Sequence, residues 1–334
     1  MIIKQRSPSL LFMLFCLSGC FLIIALALNL RLGVTNISFL SIYQALFAFD
    51  GSTEHLIIRT VRLPRSLIAV FVGAALAVAG TLMQGITRNP LASPSILGIN
   101  AGAAFAVVLA TLIMAGHSLS LYAGFAFLGA AITAILVYSV ASLGRGGITP
   151  LNLTLAGAAL SAFFASLTSG ILIISQRTLE EIRFWLAGSV TGRDLDLFFQ
   201  ILPYFLIGLL LAFLLGKQLT ILSFGEDIAQ GLGQETTWIK SLAAISIVLL
   251  AGSSVAIAGP ISFIGLIIPH LTRFLVGLDY RWIIPYSALL GAILLVFTDT
   301  ISRFIIPPQE IPVGLVMPLV GTPFFIYLTR WKVK

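Results

Sequence analysis

The sequence predicts an all-α, polytopic membrane protein with about ten transmembrane helices in one subunit. Charged residues make up 9% of its 334 residues and hydrophobic ones 59%. Soluble domains carry ~25% charge, and a globule this poor in it could not cover its surface. The charges lie in short clusters, and the runs 7–30, 66–87, 89–144, 146–176, 197–216, 241–272, 282–298 and 311–329 contain no Asp, Glu, Lys or Arg. These lengths fit the ~20 residues needed to cross ~30 Å of hydrocarbon. They lack the period-two alternation over ~10 residues that marks a barrel strand.

The first span is 9–30. Its Leu17-Ser18-Gly19-Cys20 looks like a lipoprotein processing site, but the apolar run continues through 21–30 and makes one full-length span rather than a leader before a polar domain. Cys16 and Cys20, four residues apart, read as small apolar packing residues. The outer segment 31–54 and then the second span, 63–84, follow. Run 89–144 is too long for one crossing and breaks at Ala115-Gly116-His117-Ser118, giving 93–114 and 119–142. The fifth and sixth spans are 150–174 and 197–216. Gly259-Pro260 interrupts run 241–272, because proline ends a helix, so 239–258 and 261–277 are separate. The last two spans are 282–304 and 312–331, and 1–334 reads as a single transmembrane domain.

Ten crossings place both termini on one side. With the termini cytoplasmic, 11 of the 19 basic residues lie inside, including all five lysines, in the sense of the positive-inside rule. The eight outside are all arginines (Arg31, Arg59, Arg62, Arg65, Arg177, Arg183, Arg193 and Arg303) against seven acids. The net charge of +7 is not a nucleic-acid footprint, since the basic residues form no stripe.

The usual catalytic signatures are missing. Gly216-Lys217-Gln218 fails as a phosphate loop, Gly231-Leu232-Gly233 lacks the third glycine of a dinucleotide fingerprint, and no H-E-x-x-H or G-x-S-x-G occurs. The chain reads as a transport subunit rather than an enzyme, with no cofactor and no resident metal, because His55, His117 and His270 are far apart and any metal handled must arrive chelated. Asp299 is the one acid within a span. It shares a helix face with Arg303, and the two can pair structurally; a role as the coupling acid of an ion-driven secondary transporter is the alternative.

Two segments invite function. Residues 217–240 form the longest polar stretch assigned to the cytoplasm, and 223–233 within it reads as a short helix. Ser223 or Gly225 begins it, Glu226 and Asp227 occupy the first turn, and Gly231 or Gly233 stops it. A helix this short holds only when docked, although an ordinary interfacial loop is the plainer reading. In the fifth span, Ala158, Ala162, Ser166 and Gly170 form one small-residue stripe, and Gly157, Ser161 and Ala165 an adjacent one. Such stripes allow close helix packing; at a dimer axis they can also line a wide path.

Val61-Arg62-Leu63-Pro64-Arg65, Gly73-Ala74-Ala75-Leu76-Ala77-Val78-Ala79-Gly80, Gln84-Gly85, Asn89-Pro90-Leu91-Ala92-Ser93-Pro94, Phe224-Gly225-Glu226-Asp227-Ile228-Ala229, Gly259-Pro260-Ile261-Ser262-Phe263-Ile264-Gly265, Asp299-Thr300-Ile301-Ser302-Arg303 and Glu310-Ile311-Pro312-Val313-Gly314 follow one another in this order. Together these motifs resemble the FecCD family of binding-protein-dependent permeases. The resemblance runs from about residue 57 to 330 and implies a type II ABC importer permease in the cell (inner, cytoplasmic) membrane, importing a metal chelate, foremost a ferric siderophore. It further implies a second permease subunit, identical or related, cytosolic ATPase subunits and an extracytoplasmic substrate-binding protein. Carried over by position, Arg62, Arg65 and Arg303 receive acids of the binding protein, lipid-headgroup anchoring being the alternative. Gly225, Glu226, Asp227 and Ala229 seat on the ATPase. The turn Gly144-Arg145-Gly146-Gly147-Ile148-Thr149-Pro150 corresponds to a closing gate, placed at Thr149, Pro150 and Leu151, with Gly157, Ala158 and Ser161 along the pathway. Where the family often has two glutamates after the loop glycine, this chain has Glu226-Asp227.

Overall fold

A computed structural model describes residues 7–33, 35–95, 97–114, 119–144, 149–193, 195–306 and 309–331. Among them every regular element is helical, apart from one isolated bridge between Ile306 and Gln309. The order is α1 (Pro8–Arg31), α2 (Phe39–Phe47), α3 (Thr53–Ile57), a π-helical turn (Ile58–Arg62), α4 (Leu63–Thr87), α5 (Ile99–Ile113), α6 (Leu119–Ser142), α7 (Pro150–Ile174) and α8 (Gln176–Leu186). There follow α9 (Leu195–Leu214), α10 (Gly216–Ser223), α11 (Glu226–Gly231), α12 (Thr236–Ala258), α13 (Ile264–Val276), α14 (Tyr280–Ser302) and α15 (Val313–Trp331).

Seven of the described helices are long and apolar enough to cross a membrane, and three more, Ile99–Ile113, Ile264–Val276 and Val313–Ile326, are apolar but shorter. Two expected spans are therefore corrected. Residues 93–95, 97 and 98 of the span 93–114 are not helical, and the span 261–277 starts its helix only at Ile264. Thirteen helical residues rise about 20 Å, short of the ~30 Å core. The cause is local: Pro90 and Pro94 keep their neighbours out of the helical region, as does Pro260. The second span has grown instead, because α3, the π turn and α4 run on as one helix over Thr53–Thr87. The segment 31–54, expected as a plain outer connection, contains α2, started by Ser38, whose Oγ accepts from the Ser41 amide at 3.0 Å.

The long α3–α4 helix is 83% buried over its apolar window, whereas the windows of α1 and α7 are each 11% buried. The centre of the molecule is thus α4 packed against α12, α13 and α14, with α1 and α7 on the periphery. The small-residue run of α4 makes this possible: a Cβ on Gly80 would collide with the Gly265 carbonyl of α13, and one on Gly73 with the Gly291 carbonyl of α14. Helices this close gain dispersion contacts along their backbones, which drives association where no hydrophobic effect operates between helices.

Candidate functional site

Polar side chains gather at two opposite ends of α4. At its start lies an arginine cluster, where two guanidiniums close off the C-terminal end of α1. Arg62 Nη1 donates to the carbonyls of Leu30 and Arg31 at 2.6 and 2.8 Å, and its Nη2 donates to the Thr35 carbonyl. Arg303 Nη1 donates to the carbonyls of Asn29 and Leu32, both at 2.9 Å. A helix leaves its last carbonyls without intrahelical donors, and a cation there also meets the negative end of the helix dipole.

Asp299 occupies the middle of the cluster with no solvent exposure. Arg65 Nε and Nη2 contact its Oδ1 at 2.9 and 2.8 Å, and Arg303 Nη2 meets its Oδ2 at 2.6 Å. Arg65 Nη1 also reaches Glu310, which ties in the segment before α15. The expected Asp299–Arg303 pair is present, with Arg65 as a second partner 234 residues away in sequence.

The three arginines expected on the outer side as docking positions all belong to this cluster. Arg62, Arg65 and Arg303 are only 6%, 5% and 3% exposed, and their guanidiniums turn inward. A buried carboxylate and four helix-end carbonyls require donors, and leaving any of them unpaired costs more than an exposed ion pair returns. The sequence reading missed Asn29. Its Nδ2 donates to Asp299 Oδ2 at 3.0 Å and Thr300 Oγ1 at 2.8 Å, and its Oδ1 accepts from Ser66 Oγ at 2.6 Å and Arg303 Nη2 at 3.0 Å. The available signal was an amide inside an apolar span, where polar groups are expensive.

At the other end of α4, the stretch 217–240 is not one loop with one short helix. Residues from Gly216 already form α10, which is fastened to the start of α14: Thr220 Oγ1 donates to Asp279 Oδ1 at 3.1 Å and accepts from the Tyr280 amide at 2.9 Å. Gly225 then turns the chain with φ +135°, ψ 152°, a conformation only glycine adopts readily, and α11 begins at Glu226. It ends in a closure in which the Gly233 and Gln234 amides bond back to the Gln230 and Ala229 carbonyls at 2.8 and 2.9 Å.

The four expected coupling residues have different surroundings. Ala229 is fully buried and seats α11 on the body of the protein. Glu226 turns inward: both its carboxylate oxygens accept from Lys240 Nζ at 2.7 Å, and Oε1 accepts from Thr236 Oγ1 at 3.1 Å. The hydrogen bond from Lys240 holds its carboxyl below the usual range against the opposing effect of burial, with the charge of Arg88 adding to it. Asp227 is exposed. Around it Phe224, Ile228 and Leu232 are 65%, 52% and 67% exposed, an apolar knob beside the Asp227 charge.

The gate and pathway residues lie along α7. Thr149 caps it, its Oγ1 accepting from the Asn152 amide at 3.1 Å, Pro150 is its first residue, and Leu151 is exposed. Residues 145–148 of the expected gate turn lie outside the described residues. Ala158, Ala162 and Ser166 of one small-residue stripe are exposed, as is Ala165 of the other, whereas Gly157 is buried and, with Ser161, lies against Gly98 ahead of α5. The structure does not bring the arginine, coupling and α7 groups into one site; α4 and α14 connect the first two.

The sequence matches the FecCD transport family over residues 21–331. It is 52% identical over 313 residues, 94% of each chain, to the Bacillus subtilis (strain 168) protein called probable siderophore transport system permease protein YfiZ. The Fe(3+)-citrate import system permease protein YfmD of the same organism is 46% identical, with 98% of this chain and 97% of YfmD aligned. A solved metal-chelate type ABC transporter in an inward-facing conformation superposes with a TM-score of 0.81 at 32% identity, covering 97% of this chain and 99% of that one. Sequence and fold agree along nearly the whole length, and the chain belongs to the FecCD transport family.

Proposed function

We propose that this protein is a permease subunit of a binding-protein-dependent ABC importer that moves a ferric chelate of the siderophore class across the cell membrane. The end-to-end identity with a siderophore system permease carries the reading. In the proposed topology the three shorter apolar stretches also cross, α5 and α13 together with non-helical residues before them, so the chain passes the bilayer ten times with both termini cytoplasmic. Irregular backbone at membrane depth is tolerated where protein covers it.

The knob of Phe224, Ile228 and Leu232, with Gly225 and Asp227, seats on a cytosolic ATPase, since an exposed apolar patch with a charge beside it fits a partner surface. Ala229 anchors the knob from below. Motion of the partner passes through α10 to α14 by way of Thr220 and Asp279, and through Arg88, close to Gly225, to α4. The outward face of α7, with Ala158, Ala162 and Ser166, accepts a second permease subunit, and Thr149, Pro150 and Leu151 gate the path between the two. At the outer end, Arg62, Arg65 and Arg303 act in docking through the rim that they hold. A carboxylate of the binding protein can pair directly with Arg65 by displacing Glu310, whose side chain is 27% exposed.

Ion-coupled transport through Asp299 loses its basis, because that carboxylate is saturated by two guanidiniums and an amide. Reconstitution in liposomes tests the proposal. The chain assembled with its ATPase and loaded binding protein is expected to accumulate labelled ferric siderophore on ATP, and the chain alone is not. Accumulation by the chain alone on a proton gradient refutes it.

A further inference from the structure

Two adjacent acids begin α11, and the structure treats them oppositely. Glu226 takes a bidentate ion pair from Lys240 on the second turn of α12 and a hydrogen bond from Thr236 at the start of the same helix. Gln230 of α11 donates to that Thr236 hydroxyl at 3.4 Å. Both ends of α11 are thereby tied to the first two turns of α12. Asp227, the next residue, is exposed beside the apolar knob.

From this geometry we infer that the two acids divide the work of coupling: Lys240 is a positioning residue that fixes the angle of α11 by clamping Glu226 within the chain, and Asp227 alone offers its charge to the partner. The inference rests on the reading of 225–229 as the segment seated on the ATPase. A helix of six residues cannot hold its own orientation. Backbone closure at Gly233 fixes where α11 ends but leaves the helix free to swing about Gly225. A bidentate pair to a neighbouring helix removes that freedom, so that movement of the ATPase is transmitted rather than absorbed. Ala229 sets the depth of α11, and the clamp sets its angle.

A charge swap separates this from direct contact between Glu226 and the ATPase. In the full complex of permease, ATPase and binding protein in liposomes, the readout is chelate delivered per ATP hydrolysed. Lys240→Met and Glu226→Gln are each expected to lower that ratio about tenfold, within the coupling found for residues of one ion-pair network. Glu226→Lys combined with Lys240→Glu is expected to recover most of it, because the pair is rebuilt with its charges exchanged. Asp227→Lys is expected to lower the ratio, with no rescue by Lys240→Glu. A swap that stays as poor as the single variants overturns the clamp and makes Glu226 a partner contact, as does a wild-type ratio in Lys240→Met. Where a single variant fails to assemble, recovery of assembly by the swap supports the clamp and continued failure overturns it. A wild-type complex that delivers no chelate on ATP overturns the functional reading and the clamp together, which keeps the two failures distinguishable.

Discussion

The two ends of α4 use similar residues for opposite purposes. At the arginine end, three guanidiniums and the Asp299 carboxylate are drawn beneath the surface, and the charges of Arg65, Asp299 and Arg303 answer one another inside the chain. At the coupling end, one ion pair is half-exposed and apolar side chains point away from the body. Where the partners of a charge lie within the fold, it acts as cement between helices. Where apolar surface is left uncovered beside it, the region awaits another surface. Position at the end of a span does not distinguish the two; burial does.

Breaking the cement tests this contrast most severely. Asp299→Ala leaves Arg65 and Arg303 buried around an empty centre, and removing one partner of a buried pair costs about 3–5 kcal/mol. The detergent-solubilised protein is expected to lose its cooperative melting transition or to melt far lower, while Asp299→Asn keeps part of the network and falls between. A wild-type melting profile for Asp299→Ala would mean that the cluster does not hold the helices. Next in size is Asn29→Leu, which strips donors and acceptors from five neighbours at once, the Val296 carbonyl, Asp299, Thr300, Ser66 and Arg303, at about 1–3 kcal/mol for unsatisfied buried groups. It should lower the melting temperature and expose the end of α1 to hydrogen exchange.

At the coupling end the same measurements should barely move. Ile228→Ser with Leu232→Ser is expected to change stability by less than about 0.5 kcal/mol, as for exposed sites, yet to weaken ATPase association in a pull-down titration. Equal loss of stability at both ends would abolish the distinction. The smallest effect concerns pH. Glu226 is held below its ordinary value of 4.5, so its contribution is full above that value and is lost only as pH falls through the lowered one. Surface pairs are worth about 0–1 kcal/mol, and protease sensitivity at 224–235 should stay constant from pH 8 to 5 and rise only in stronger acid.

Much of this molecule was legible in one dimension. Apolar length marked where α1, α6, α7, α9, α12 and α14 run, to within three residues at every end. Glycine and acid placement marked α11, because caps and dipole effects act within a single turn. The small-residue run 73–80 was visible as a motif, although its purpose, backbone contact with Gly265 and Gly291, required two distant helices to meet it. Asn29 stood out only as an amide within an apolar span, and neither it nor Lys240 showed which groups it would meet. Their partners lie 270 and 14 residues away, and nothing in a local pattern encodes such a meeting.

Sequence by itself determined the class of molecule, since a chain with so little charge and such long apolar runs has no stable home but a bilayer. It also determined where six of the long helices run, because span length and capping are set by solvent transfer and neighbouring residues. Only the tertiary structure decided which charges face inward, which of two adjacent acids is already occupied, and which residues of α7 stay open. Those outcomes depend on pairing between groups far apart along the chain, and a group removed from water takes whatever partner the fold brings within hydrogen-bond reach.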